Sequence, residues 1–421
     1  MIPYSEALSL LLSAARPDAP ESVSVGQATG RISAQEILSP DVLPRFDNSG
    51  MDGFAVRCGG ETLQGDTELD VGGAVMAGDA PSDGFSGALA IEIATGAPVP
   101  PGFDAVVPIE KVEVLARSGG RPARIRLTGA VSPGDNVRDA GSDIARGDLL
   151  VPRGCRLGPS QLMGLAAMGV DEVEVVPRPR AGIIATGTEL VEGRAPDPGE
   201  VRNSNGPFLD AVLRAEGVDV VGRVHVEDDP QRFLDEVGRS LEEGADLVLS
   251  TGAVSVGRHD FVPASLARMG ARTLFHRVAT RPAHPTFAAE LPGGGLFLGL
   301  PGNPMSTAAG WRFFALPFLR ELRGMPPEVP LRLPLQEEVR TPGSLRAFLR
   351  GELVAAPEDA GTAEDADAQR AFASVRVPTR QESFRIAPFL AADVWVVVPE
   401  GVTTLAPGHL VDVHGLTAPL V

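Results

Sequence analysis

Between residues 178 and 325 the chain alternates short apolar runs with segments of helical period, and this alternation constrains the fold most. Residues 181–185, 245–250 and 296–300 read as fully buried strands bounded by glycine and proline. Asn203, Ser204 and Asn205 are helix-capping residues ahead of GPFLDAVLRAEG, and Ser306 is expected to open a helix running through Leu319. Strands and helices in this succession predict a parallel sheet covered on both faces.

The flanks read differently. Residues 1–45 hold a short helix, with Leu8, Leu11, Leu12 and Ala15 at helical spacing, and an extended segment. Residues 46–143 and 327–421 are rich in short alternating strands cut by Gly and Pro. Pro159 and Ser160 are placed to open a helix that Gly169 closes, and residues 171–176 read as a strand. The acidic, small-residue stretch 355–369 reads as a mobile loop.

The formal net charge of −18 excludes a broad basic footprint for nucleic acid, so a phosphate site has to be local. No long uncharged apolar run predicts a membrane span. Glu6 and the lack of a basic start argue against a signal peptide. Cys58 and Cys155 show no metal-ligand spacing and read as reduced thiols of a cytoplasmic protein.

Three predicted strand ends carry special loops: 186–190 (TGTEL), 250–260 (STGAVSVGRHD) and 300–306 (LPGNPMS). Ligands of open α/β sheets bind beyond such ends. Thr186 and Gly187 lie in the first loop, Gly252, Ser255 and Gly257 in the second, and Pro301, Gly302, Asn303 and Pro304 in the third. Glycines admit a phosphate close to backbone N–H groups, and helix N-termini add partial positive charge. Neither GxGxxG nor GxxxxGK[ST] is present, which excludes the usual dinucleotide and P-loop fingerprints. Glu189 and Asp260 lie on these loops, and a divalent metal would use such acids together with substrate phosphates. Asp229, just before Pro230, is either a further site acid or a helix cap.

LPRFDNSGMDGFA (43–55) is the most specific string, an Asp/Asn/Ser/Gly-rich turn. It resembles the signature of the molybdopterin molybdenumtransferases, the bacterial MoeA and eukaryotic gephyrin E-domain family. ATGAPVP (94–100), NVRDAGSDI (136–144), ATGTELV (185–191), RNSNGPFL (202–209), STGAVSVGRHDF (250–261) and GLPGNPMS (299–306) follow in the family's order.

The resemblance implies a multidomain α/β protein. Residues 1–45 with 144–177 would form a linker and dimerisation domain, and 46–143 an inserted β domain. Residues 178–326 would form a molybdopterin-binding parallel α/β sandwich, and 327–421 a C-terminal β-barrel. It implies a homodimer whose cleft joins the central domain of one subunit to the N-terminal part of the other. Carried over, Asp52, Asp143, Glu189, Asp229 and Asp260 would be catalytic, with Glu189 and Asp260 on Mg²⁺. Thr95, Arg138, Ser204, Arg277, Arg281, Pro301 and Pro304 would bind substrate beside the loop residues above. Arg277, Arg281 and His284 stand where the family usually has lysines. The implied reaction converts adenylyl-molybdopterin and molybdate to molybdenum cofactor and AMP. A molybdopterin adenylyltransferase and molybdoenzyme-maturation proteins would be partners. Two alternatives stand beside it: a non-catalytic pterin-binding scaffold, and an insertase that prefers tungstate.

Overall fold

A computed structural model describes residues 1–80, 84–85, 87–254, 261–355 and 372–420. Helix α1 (Tyr4–Ser13) forms where the apolar spacing predicts it. It buries Tyr4, Ala7 and Leu11 in the same core as the central sheet, so the start of the chain packs onto the α/β unit. Strands Glu21–Ser24 and Ile32–Ser33 both pair with Glu172–Val176. Segments on either side of the intervening β unit thus share one small sheet. Helix Pro159–Ala167 lies beside it, and Gly169 follows at φ +69°.

The intervening unit is a six-stranded sheet in the order Ala105–Pro108, Gly53–Val56, Ala90–Ile93, Glu68–Val75, Arg121–Leu127, Val112–Ser118. Its inner face is built from Phe54, Val56, Leu69, Val107 and Ile125. Gly53 is required there, because a Cβ would lie 1.9 Å from the Val107 carbonyl oxygen.

The central unit contains β1 (Arg180–Thr186), α2 (Asn205–Ala215), β2 (Asp219–Val226), α3 (Pro230–Glu242), β3 (Leu247–Thr251), α4 (Val262–Met269), β4 (Arg272–His276), β5 (Phe287–Glu290), β6 (Leu296–Leu300), α5 (Pro304–Gly310) and α6 (Leu316–Leu322). The sheet order is β2-β1-β3-β6-β5-β4. Every residue of β3 and β6 is buried, as their unbroken apolar sequences require. Leu209 and Leu213 of α2 pack on one face. Phe233 and Val237 of α3, with Val262 and Leu266 of α4, pack on the other.

Two expectations are corrected here. The sheet is mixed: β2, β1, β3 and β6 run parallel, whereas β5 pairs antiparallel with both β6 and the edge strand β4. Residues 291–295 join β5 to β6 through a tight turn with three positive-φ glycines, and so short a connection permits only an antiparallel pair. The helix expected to open at Ser306 starts at Pro304 and reaches Leu322 through a π-helical turn, Trp311–Ala315. Proline suits the first helical position, where no intrahelical donor is lost.

The C-terminal zone is a six-stranded sheet containing Thr280–Arg281, β7 (Arg346–Ala355), β8 (Val394–Val398), β9 (Leu410–Gly415) and Leu331–Pro334, with Phe372–Arg376 beside β7. An isolated bridge from Leu335 to Val375 ties its two ends. The loop expected at 355–369 lies, beyond Ala355, outside the described residues.

Candidate functional site

β1, β3 and β6 are adjacent and parallel, with Ala185 opposite Thr251 and Thr251 opposite Leu300. Their loops therefore leave the sheet at one edge. Thr186 Oγ1 donates to the Thr251 carbonyl at 3.1 Å, and the Gly252 N–H donates to the Leu300 carbonyl at 3.0 Å. Gly252 has φ +94°, and a Cβ there would lie 2.6 Å from the Thr186 carbonyl oxygen. The close approach of the first two loops thus depends on this glycine.

The loops enclose a cavity of about 590 Å³ lined by Thr186, Gly187, Glu189, Ser204, Gly252, Gly302, Asn303 and Pro304. These eight are the sequence candidates in its lining, which also includes Arg202, Asn203, Asn205 and Asp228. The exposed carboxylate of Glu189 folds back over Gly187, where an added Cβ would meet it at 2.6 Å. Asn205 Nδ2 donates to the Gly302 carbonyl at 2.7 Å and pins the third loop to α2. The Asn203 carboxamide accepts from the Gly206 N–H at 3.0 Å, so Asn203, rather than Ser204, caps that helix.

The structure gives Asp229 the capping role that the sequence left open. Its Oδ1 accepts from the N–H groups of Gln231 and Arg232 at 2.8 and 3.1 Å. Asp228 lines the cavity instead. Sequence reasoning missed it, although a signal existed: an acid before a proline at the first helical position turns inward as a cap, leaving the acid before it free.

The backbone donors that follow the third loop bond within the chain. The Met305 N–H donates to the Ser383 carbonyl at 2.9 Å, and those of Ser306 and Thr307 donate to the Asn303 carbonyl. The donors of Met305, Ser306 and Thr307 are therefore committed within the chain.

A second cavity, about 480 Å³, adjoins this loop and is lined by Arg281, His284, Pro301, Asn303, Ser306 and residues 381–384. Asn303 is common to both spaces. The β-bridge partners Thr280 and Arg346 bring the basic segment against β7. His284 Nδ1 and Thr280 Oγ1 are buried without a hydrogen-bond partner in this region. Buried polar atoms of this kind call for a ligand or water. Arg277, at φ +69°, lines neither cavity. Its backbone is bound to Ile2 and Thr286. Of Arg277 and Arg281, only Arg281 lines one of these two cavities.

The remaining candidates form a corner on the inserted β unit. Asp52 Oδ1 accepts from the Thr95 N–H at 2.7 Å and from Thr95 Oγ1 at 2.9 Å. These bonds, the backbone one foremost, hold the exposed Asp52 carboxyl below its ordinary range. Arg138 pairs with Asn48, and the Gly50 N–H donates to the Asn136 carbonyl at 2.8 Å. The Asp143 N–H donates to the Leu43 carbonyl at 3.0 Å, leaving its carboxylate exposed. Asp47 Oδ1 accepts from the Ala140 N–H at 2.8 Å and so locks the corner's two strings together. None of Asp52, Thr95, Arg138 and Asp143 lines either cavity of the same chain.

Asp260, Ser255 and Gly257 lie outside the described residues. Among those described, no cluster of three or more His, Cys, Asp or Glu side chains forms a ready metal cage. Glu189 and Asp228 do share one cavity. Two carboxylates beside a polar space fit Mg²⁺, which keeps waters and borrows substrate phosphates for the rest of its shell. No helix of the described residues is long and apolar enough to cross a membrane.

Three family models match along the chain: the MoeA N-terminal region (domains I and II) over residues 2–169, a probable molybdopterin binding domain over 182–321, and the MoeA C-terminal region (domain IV) over 332–416. The chain is 37% identical to the molybdopterin molybdenumtransferase of Synechococcus elongatus, over 99% of this chain and 100% of that protein. It is 32% identical to that of Bacillus subtilis, over 85% of each. Its fold is similar to the molybdopterin biosynthesis MoeA protein of Pyrococcus horikosii, with a TM-score of 0.78, 27% identity and 99% of each chain covered. The chain belongs to the molybdopterin molybdenumtransferase (MoeA) family.

Proposed function

We propose that this protein inserts molybdate into adenylylated molybdopterin, releasing AMP, with Mg²⁺ at Glu189 and Asp228. Family membership carries the coarser part: a transferase of molybdenum-cofactor biosynthesis. The finer part rests on one observation, the cavity at three adjacent strand ends where two carboxylates face amides and hydroxyls.

Glu189 and Asp228 would hold the metal, and Asp260 is proposed to join them. Bound there, Mg²⁺ supplies positive charge against the phosphoanhydride oxygens. The strand-end loops orient the substrate: Gly187 and Gly252 keep side chains out of the way, and Asn205 fixes the Gly302 turn. Arg281, His284 and Ser306 line the adjoining cavity and suit the oxyanion, molybdate or phosphate. Asp52 and Asp143 do not reach these cavities within one chain, so a second copy is proposed to supply them with Thr95 and Arg138. The protein therefore acts as a homodimer in this reading, in the cytoplasm, receiving its substrate from an adenylyltransferase.

The scaffold reading has one observation in its favour: Arg277, which replaces a usual lysine, lines neither cavity. Incubation with adenylylated molybdopterin, molybdate and Mg²⁺ separates the two. An insertase releases AMP, whereas a scaffold retains the intact adduct.

A further inference from the structure

The two acids of the strand-end cavity, Glu189 and Asp228, stand on different segments, and one side chain sews those segments together. Asp228 lies just beyond the end of β2, the edge strand of the central sheet. Glu189 lies in the loop that leaves β1. The parallel register sets His225 of β2 opposite Ala185, just before that loop begins. His225 is half-buried, and its Nε2 lies 2.8 Å from the Gly187 carbonyl oxygen. A carbonyl only accepts, so this nitrogen carries the proton and donates.

The same carbonyl accepts from the Leu190 N–H at 3.2 Å, which closes a turn over residues 187–190 with Glu189 at its third position. The Gly187 N–H donates to the Val226 carbonyl at 3.3 Å, and the Glu189 carbonyl accepts from the Val201 N–H at 2.8 Å. The turn is therefore tied to β2 on both sides of Gly187. Arg223, on the same face of β2 two residues earlier, reaches the loop farther along. Its Nη1 is 3.5 Å from Glu192 Oε1, which also accepts from Asn203 Nδ2 at 2.6 Å. The Arg223 and Glu192 side chains are 34% and 37% exposed, so solvent screens that pair and it contributes little. The His225 bond is shorter, less exposed and placed at the turn itself.

We propose that His225 is a positioning residue: by holding the Gly187 carbonyl it fixes the 187–190 turn against β2 and so sets the spacing of Glu189 from Asp228 for a divalent cation. The metal consequence rests on the function proposed above, whereas the fixing of the turn does not. Loss of a group that orients a metal ligand weakens metal binding by about 10- to 100-fold. The lower end is expected here, because the Gly187–Val226 and Leu190–Gly187 bonds remain.

Two variants separate the donor from the bulk of the ring. His225→Leu removes the donor, and His225→Gln keeps an Nε2–H near the same point. On the full-length protein, binding of Mn²⁺ in place of Mg²⁺, followed by electron paramagnetic resonance, should weaken about tenfold in His225→Leu and by less than about threefold in His225→Gln. In hydrogen exchange, the Leu190 amide should exchange faster in His225→Leu and at the parental rate in His225→Gln, while Leu247–Thr251 keeps its protection. In AMP release, the half-saturating Mg²⁺ concentration should rise with the Mn²⁺ constant, and the KM for molybdate should stay parental. Parental Leu190 exchange in His225→Leu overturns the fixing of the turn. Faster exchange with parental Mn²⁺ binding overturns the spacing of the two acids. Equal losses in both variants assign the effect to packing and overturn the role of the donor. If His225→Leu does not fold, His225→Asn, polar but too short to reach Gly187, carries the test with the same expected losses, and parental behaviour there refutes the proposal. If the parent binds no Mn²⁺, the metal reading of Glu189 and Asp228 fails, and the exchange result alone decides whether His225 holds the turn.

Discussion

The strand-end cavity and the Asp52 corner hold the two groups of candidate acids, and they are built on different principles. At the cavity, Glu189 and Asp228 follow parallel strands whose order and direction are set by burial. At the corner, Asp52, Thr95 and Arg138 are placed by loop-to-loop hydrogen bonds on exposed backbone. The cavity is complete as a concave space in one chain, whereas the corner presents its groups outward. An outward acid held ionised by Thr95 is suited to complete a site belonging to another copy.

The largest effect should come from the cavity. Glu189→Gln keeps the shape and removes a charge, and turnover should fall about a thousandfold in an AMP-release assay. Asp52→Asn should cost about a hundredfold, because it removes charge beside substrate without emptying the cavity. The pair then yields a sharper test. If Asp52 serves the partner's cavity, a mixture of the two inactive variants that exchanges subunits contains hybrid dimers, each with one intact site. Activity should return to roughly a quarter of the parent's, the statistical share for a two-fold dimer. No recovery on proven subunit exchange would place both acids in one chain's site.

Arg281→Ala addresses the adjoining cavity. The KM for molybdate should rise about tenfold, and Arg277→Ala should change it far less, because only Arg281 lines that space. Smaller still is Asp229→Ala. Loss of its two cap bonds should lower stability by about 1 kcal/mol in denaturant titration, with turnover reduced less than tenfold.

Thr95→Val gives the smallest change. Removing one of the two bonds should move the Asp52 pKa upward, toward the ordinary range of an aspartate, in a carboxyl NMR titration. The sign follows from the depressed folded value. The contribution of Asp52 to stability is present above 3.8 and is lost as pH falls through its lower folded pKa, so the variant should lose that contribution at a higher pH.

The two regions also differ in how far the sequence disclosed them. β1, β3 and β6 were readable because complete burial demands unbroken apolar runs. Their loops, with Thr186, Gly252 and Asn303, then converge because parallel neighbours end at one edge. The antiparallel pairing was missed: β4 and β5 are short, carry polar residues and are less completely buried than β3 and β6, and their direction is set by the 291–295 turn. Asp228 was hidden behind Asp229, although the acid adjoining Pro230 is the one placed to cap α3 and leaves its neighbour free. The corner was legible solely as a family motif. Nothing in the composition of LPRFDNSGMDGFA says that Asp52 will meet Thr95, a contact made across a long sequence separation.

The most direct measurement follows AMP release and molybdenum–dithiolene formation together, with purified protein, adenylylated molybdopterin, molybdate and Mg²⁺, for the parent chain and Glu189→Gln. The account predicts that both products appear together with the parent and that neither forms appreciably with Glu189→Gln. Retention of the intact adduct by the parent, or parental rates in Glu189→Gln, would contradict it.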